Sequence, residues 1–340
     1  MALDAFNLDL YDFDLPEHQI AKSPAVPRDS SRLMIVDRKK QSIEELVFRD
    51  IVHILEPKDL LLFNDTEVIP ARLDARKESG AKIELLLTEA QGSFWKAMAK
   101  PAKKVRVGDR LYFSKDSYCE VQDCLGAGFK LLSFSQDVME ILDKYGKTPI
   151  PHYIHHDRDE KSEREIYQTV FASKKGAVAA PTAAFHFTKN LLEKLEQKGV
   201  QKQMLTLHVG PGTFRPIKSQ DIRQHQMHAE SYFLSEEFVN AFHNCEGRRI
   251  CVGTTSCRTL ESCATNTGLK ASSAKTDIFI YPGYQFKAVE HLLTNFHLPR
   301  SSLLLLVSAF AGTELILEAY QKAIKDGFRF YSYGDAMLIL

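Results

Sequence analysis

Hydrophobic and polar positions fall into two textures along this chain. Between about Ile69 and Pro149, short alternating stretches (KIELLL, VRVGDRLYF, CEVQD and FKLLSF) are separated by Gly80, Gly92, Gly108 and the Gly126-Ala127-Gly128 turn. Alternation sends successive side chains to opposite faces, and repeated short strands joined by glycine turns predict a small β-barrel. Pro70 and the Pro149-Ile150-Pro151 segment bound this region. The apolar run Leu60 to Phe63 before it and the segments after it read as parts of one α/β domain. The expected architecture is a mixed, layered α/β domain made of residues 1–68 and 150–340, with an inserted β-barrel domain at 69–149.

The second half alternates helix and strand signals. Thr188 caps a predicted helix with Leu191, Leu192 and Leu195 on its apolar face and Gly199 at its end, and a strand from Met204 to Val209 follows. Ser235 opens a similar helix bearing Phe238, Val239 and Phe242, with a strand from Arg249 to Val252 next. A third helix starts near Thr313, carries Leu315, Ile316, Ala319, Tyr320 and Ile324, and ends at Gly327. Leu303 to Ala309 suits a buried strand or a buried helix, and periodicity does not choose between them.

Five blocks set small flexible residues beside concentrated polar ones: TLHVGPGTF from Thr206, HQMHAE from His225, GTTSCRTLES from Gly253, TNFHLP from Thr294 and YGDA from Tyr333. Such residues suit loops that meet a ligand. Four of the blocks adjoin a short apolar run, which predicts that they converge at one end of one sheet.

Composition narrows the picture. At 340 residues and 44% hydrophobic composition, the chain buries a substantial core. Its longest apolar stretch, Leu303 to Ala311 with one serine, is about half the ~20 residues needed to cross a bilayer. Met1 to Leu10 contains two aspartates and no basic residue, unlike a secretory signal. The expectation is a soluble cytoplasmic protein without membrane association. The six cysteines form no C-x-x-C pair and read as small thiols in a reducing compartment. Formal net charge is zero, so any nucleic-acid contact must use a local patch. Lys96, Lys100, Lys103, Lys104, Arg106, Arg110 and Lys115 form one, with Asp109 as the acid among them. The same run also suits a plain solvated surface.

The blocks carry candidate chemistry. A strand ending at Gly253 followed by Thr254, Thr255 and Ser256 at a helix start offers hydroxyls and unpaired amides to a carboxylate or phosphate, though an ordinary helix cap looks the same. Arg258 and Glu261 lie three apart on that helix, within reach of an ion pair. His208 precedes Gly210 and Gly212, whose loop lets backbone approach a ligand. His225, His228 and Glu230 suit acid–base chemistry better than metal binding, because their order is not H-E-x-x-H. Burial of His186 or His297 would keep either imidazole neutral, as a base requires and as a packed core residue also shows. Asn64 and Asp65 follow an apolar strand, where α/β loops bind ligands and where Asx turns also occur.

In their order, YDFDLP, SRLMIVDR, FNDTEVIPARL, GAVAAPTAAFHFT, TLHVGPGTF, HQMHAE, GTTSCRTLES, TNFHLP and YSYGDAMLI closely resemble the S-adenosylmethionine:tRNA ribosyltransferase-isomerases of the queuosine pathway, over nearly the whole chain. Two motifs depart from the family pattern: Ala184-Phe185 stands where it has Gly-Leu, and Pro211 where it has Ala. The His155-His156 pair matches no family motif and reads as surface. The resemblance implies a mixed α/β domain with an inserted barrel. It also implies transfer and isomerisation of the ribosyl part of S-adenosylmethionine onto 7-aminomethyl-7-deazaguanine at the tRNA wobble position, giving epoxyqueuosine, adenine and methionine. S-adenosylmethionine is then a consumed co-substrate, with no metal or redox cofactor and no obligate protein partner.

Roles follow as expectations from that resemblance. His186 or His228 is the base, with Glu230 orienting, and Asp335 is the acid candidate. His208, Gly210, Gly212, Gly253, Thr254, Thr255, Ser256 and Arg258 hold S-adenosylmethionine. Asn64, Asp65, Arg72, Asn295 and His297 face the modified base or the anticodon, joined by Lys100, Lys103, Lys104 and Arg106 on the barrel. The rival readings are an RNA-binding protein without catalysis, and a methyltransferase, which the absence of a G-x-G-x-x-G loop after the first strand disfavours.

Overall fold

The structure, a computed structural model, describes residues 4–151, 153–154, 159–214 and 217–340; the His155-His156 pair lies outside them. A nine-stranded mixed sheet forms the larger part. At its centre Gln201–Leu207, Leu60–Asn64, Arg249–Val252 and His291–Asn295 lie side by side and parallel. Ala336–Ile339 runs antiparallel to His291–Asn295 and parallel to Arg32–Asp37, and Ser42–Val47 forms that edge. Glu230–Leu234 and Ser272–Thr276 complete the other edge as antiparallel strands.

The central strands are apolar on both faces because both are covered. Leu60, Leu62, Leu205, Cys251 and Leu292 join one core with side chains of Glu236–His243, Thr254–Cys263, Ser302–Ala311 and Thr313–Lys325. The alternate residues Leu61, Phe63, Ile250, Val252 and Leu293 join a second core with Ile51–Ile54 and Lys189–Gln197. This is the layered α/β arrangement expected from the sequence. Helix starts follow their caps: Thr188 Oγ1 accepts from the Leu191 amide at 3.2 Å, and Ser235 Oγ from the Phe238 amide at 3.1 Å.

The ambiguous apolar stretch is the helix Ser302–Ala311, started by Ser301, whose Oγ accepts from the Leu304 amide at 3.2 Å. It is apolar nearly all round because it is buried nearly all round, which erases the helical period. Among the described residues no single helix is long and apolar enough to cross a membrane. Ser302–Ala311 and Thr313–Lys325 together have the length and composition, but they bend by 118° and set their apolar side chains into the core.

The second sheet is a closed barrel. Arg72–Arg76, Lys82–Gln91, Phe94–Lys100, Phe129–Phe134, Tyr118–Gly126 and Arg110–Tyr112 follow one another round the ring, which the Arg76–Tyr112 pairing closes. Arg72–Arg76 and Phe94–Lys100 were not among the alternating stretches picked out in the sequence. Their inward side chains include Ala75, Ala97 and Ala99, which give little hydrophobic contrast. Helix Val138–Tyr145 adds Ile141 and Leu142 to the barrel core. The barrel therefore holds its shape through its own core while its outer wall faces the larger sheet.

Candidate active site

The four parallel strands end on the same side of the sheet and deliver there the loops starting at His208, Asp65, Gly253 and Phe296. Tyr331 to Asp335, just before Ala336–Ile339, reach the same edge because that strand is antiparallel to its neighbour. The loops thus converge at the carboxyl ends of the strands, where α/β sheets bind ligands.

Asn64 ties these ends together. Its Nδ2 donates to the Leu207 carbonyl at 3.0 Å and to Thr255 Oγ1 at 3.2 Å, while Oδ1 accepts from the amides of Leu207 at 3.0 Å and Thr66 at 3.1 Å. That engages the whole hydrogen-bonding capacity of a fully buried amide. Asp65 accepts from Thr206 Oγ1 at 2.6 Å and Ser173 Oγ at 3.1 Å, and Arg72 donates to the Ile150 carbonyl at 3.0 Å. The three residues expected to face the modified base hold the protein's own loops instead. Strand ends leave backbone groups unpaired, and short polar side chains pair them.

Gly253 adopts φ of +90°, which strains any residue with a Cβ, and turns the chain sharply into the helix Thr254–Cys263. The first amides of that helix have no intrahelical partner and carry the positive end of its dipole. No side chain caps them. Thr254 and Thr255 at that helix start line a narrow cavity of about 50 Å³ together with Pro181, Asn295, His297 and Ser332, among others. Asn295 and His297, expected at the RNA, are buried here: the Asn295 amide donates to the Tyr331 carbonyl at 3.0 Å, and His297 Nε2 lies 3.1 Å from Thr294 Oγ1. Burial pushes His297 down to about 3.

A much larger cleft, about 820 Å³, lies between this edge and the barrel. Its volume falls within the ~300–1,000 Å³ of small-molecule sites, which the narrow cavity does not approach. His208, Gly210, Pro211, His228 and Glu230 line one side, and Glu89, Trp95, Lys96 and Phe129 of the barrel the other. Val209 borders the narrow cavity and Gly210 the cleft, so one loop separates the two spaces. His208 Nδ1 lies 2.8 Å from Thr66 Oγ1, and burial lowers its pKa against the opposing pull of Asp65. The His228 ring meets the Phe129 ring edge-on at 6.1 Å and packs against Gly212.

His186 lies elsewhere. It is buried with Nδ1 2.7 Å from Ser31 Oγ and its ring stacked 4.9 Å from Phe48, and burial lowers its pKa to about 4 although Asp335 and Asn295 oppose the shift. It borders a void of about 10 Å³ rather than the cleft, so of the two base candidates only His228 reaches the roomy site. Asp335, expected as an acid, accepts from the Arg32 amide at 2.9 Å, the Arg329 amide at 2.7 Å and Arg329 Nη2 at 3.1 Å. At 1% exposure it joins strand to loop and lines neither the cleft nor the narrow cavity.

Glu230 also differs from expectation. It forms a buried ion pair with Arg258 and accepts from the Gly210 amide at 2.7 Å, so it ties the glycine loop to Arg258 rather than orienting His228. The Arg258–Glu261 pair does not form. Glu261 accepts instead from Tyr284 Oη at 3.0 Å and the amides of Lys287 at 2.9 Å, Ala288 at 3.0 Å and Val289 at 3.0 Å. Burial favours the carboxylate with the most donors. Among the described residues no group of three or more His, Cys, Asp or Glu side chains is placed to hold a metal ion.

Lys100, Lys103, Lys104 and Arg106 are exposed on the barrel, and Asp109 is occupied by Lys77 Nζ at 2.7 Å and the Arg106 amide at 2.7 Å. Sequence reasoning missed Trp95, Phe129, Glu89, Lys175 and Lys275 as cleft residues. The one available signal was a tryptophan beside a lysine in a strand whose buried positions are the alanines Ala97 and Ala99.

Fold and site together define an α/β enzyme whose cleft is shared with an inserted barrel. The solved structure of an S-adenosylmethionine tRNA ribosyltransferase from Thermotoga maritima is similar at 38% identity and a TM-score of 0.57, over 97% of this chain and 100% of that one. Proteins named S-adenosylmethionine:tRNA ribosyltransferase-isomerase are 48% identical in Thermosipho melanesiensis and 49% in Trichlorobacter lovleyi, each over 97% of this chain and 98% of the relative. Residues 8–339 match the family described as queuosine biosynthesis protein, and the chain belongs to that family.

Proposed function

We propose that this chain transfers the ribosyl moiety of S-adenosylmethionine to 7-aminomethyl-7-deazaguanine at the wobble position of tRNA and isomerises it, releasing adenine and methionine and leaving epoxyqueuosine. The observation that carries this reading is the cleft between sheet edge and barrel, with His228 in its wall and a second, narrow cavity at the start of the helix Thr254–Cys263 one loop away. The family to which the chain belongs supports it.

Two substrates of unlike chemistry need two adjoining spaces. The helix-start amides of Thr254 and Thr255, beside the narrow cavity and with Ser256 buried behind them, suit the methionine carboxylate, and the loop His208 to Gly212 lets the sulfonium and ribose pass toward the cleft. The sulfonium acidifies the ribose C5′ hydrogen, so His228 suffices as base. The aminomethyl group attacks in its neutral form, and a protonated group assists adenine departure. Arg258 and Glu230 act by holding the Gly210 loop. Residues 1–68 and 150–340 form the catalytic α/β part, and the barrel at 69–149 carries the RNA through Lys100, Lys103, Lys104 and Arg106. S-adenosylmethionine is consumed, no further cofactor or protein subunit is required, and the enzyme works in the cytoplasm with its tRNA.

Incubation with S-adenosylmethionine and tRNA bearing the modified base, followed by mass spectrometry of small molecules and digested nucleosides, tests this. Adenine with epoxyqueuosine is the expected result. S-adenosylhomocysteine would point to methyl transfer, and tRNA binding without turnover to a binding protein. With turnover in hand, His228→Ala is expected to lower the single-turnover rate on the order of a hundredfold or more; an unchanged rate removes His228 as base.

A further inference from the structure

The barrel wall of the cleft has no role in the chemistry above. Trp95 packs against the barrel core from its rim, is only partly buried, and lines the cleft beside Lys96 and Phe129. Lys96 Nζ stands 4.6 Å from the centre of the Phe129 ring, and the edge-on contact of that ring with His228 sets Phe129 directly beside the base candidate. Of the carboxylates lining the cleft, Glu89 is paired with Lys275 across the gap between barrel and sheet, and Glu230 is paired with Arg258. Lys96 and Lys175 therefore set the sign of the field inside.

We infer that Trp95, at the barrel rim of the cleft, forms a nucleobase platform: the wobble base of the tRNA leaves the anticodon stack and lies against Trp95, and Lys96 and Phe129 line the wall between it and His228. This rests on the function proposed above and names the residues that would receive its RNA substrate. An aromatic face takes any purine-like base, so adenine of S-adenosylmethionine is the other source of the same chemistry. Charge decides between them. With its carboxylate at the narrow cavity, S-adenosylmethionine reaches His228 from the sheet side, and its sulfonium and ammonium are disfavoured further along the barrel wall beside Lys96, whereas a nucleotide in RNA brings phosphates that the lysines attract. A base drawn out of its stack also needs a surface to replace the stacking it loses, and an aromatic rim supplies it.

Trp95 is the only tryptophan in the chain, so its emission, excited beyond the tyrosine band, reports on this wall alone. The native protein would be titrated with tRNA carrying the modified base, with the same tRNA lacking only the wobble base, and with S-adenosylmethionine by itself; anisotropy of end-labelled tRNA measures binding independently. Base-dependent, saturable quenching is expected with the first tRNA, binding without that quenching with the second, and none with S-adenosylmethionine. Equal emission changes with both tRNAs, or quenching by S-adenosylmethionine alone, would overturn the platform while leaving the proposed function standing if turnover is observed. Absence of both tRNA binding and turnover would remove the two together. As a second measurement, Trp95→Ala is expected to raise KM for tRNA on the order of ten- to a hundredfold while KM for S-adenosylmethionine holds, with Trp95→Phe restoring most of the difference. An unchanged tRNA KM in Trp95→Ala refutes the inference.

Discussion

Replacing Glu230 with alanine separates a structural pair from a catalytic one. Glu230 and Arg258 are 5% and 4% exposed, so neither has bulk water as an alternative partner. Removing the carboxylate leaves the guanidinium with the Ile278 carbonyl at 3.3 Å from Nε, and Nη2 already lacks a partner. It also frees the Gly210 amide, which donates to Glu230 at 2.7 Å. Stranding one member of a buried pair costs about 3–5 kcal/mol, a large share of the ~5–15 kcal/mol that holds a typical domain. Urea denaturation at neutral pH, followed by circular dichroism, is expected to show a loss of this size in Glu230→Ala. Combining Glu230→Leu with Arg258→Met removes the stranded charge and is expected to recover at least about 2 kcal/mol of it. A loss below about 1 kcal/mol in Glu230→Ala, or no recovery in the double variant, refutes the reasoning. If it holds, low activity in Glu230→Ala reflects a displaced glycine loop and says nothing of proton transfer by Glu230.

Acid should destabilise the fold through two buried histidines. Burial lowers His186 to about 4 and His297 to about 3, below an unfolded value of about 6.5, so the folded state binds fewer protons and their contribution is complete above about pH 6.5 and lost as pH falls toward the folded values. Between about pH 7.5 and pH 5 each costs about 2 kcal/mol, and His297→Gln should remove one such share from the pH dependence of urea stability; an unchanged dependence would show His297 already protonated or solvated. Reversing charge at Lys103 and Lys104 should weaken tRNA binding and reduce the slope of log affinity against log salt by about 2, whereas an unchanged slope takes these lysines out of the RNA interface.

Much of the architecture was legible along the chain because it rests on short-range rules. Leu60 to Phe63 reads as a strand covered on both faces, Thr188 and Ser235 announce their helices by capping them, and glycines punctuate the barrel hairpins. Ser302–Ala311 was not legible, since full burial removes the contrast from which period is read. In the site, the sequence picked out loops that the fold gathers at one edge of the sheet, but not which polar side chains remain available to a substrate. Glu230 chose Arg258, from a different element, over the nearby His228; Asn64 and Asp335 turned inward to backbone amides. Residue identity and spacing determined most of the elements, the barrel texture and the loops that gather at the sheet edge. Which buried groups pair, which histidine reaches the cleft, and that Trp95 faces it from the barrel were decided only when distant segments packed, because the cost of an unpaired buried charge depends on neighbours that sequence proximity does not supply.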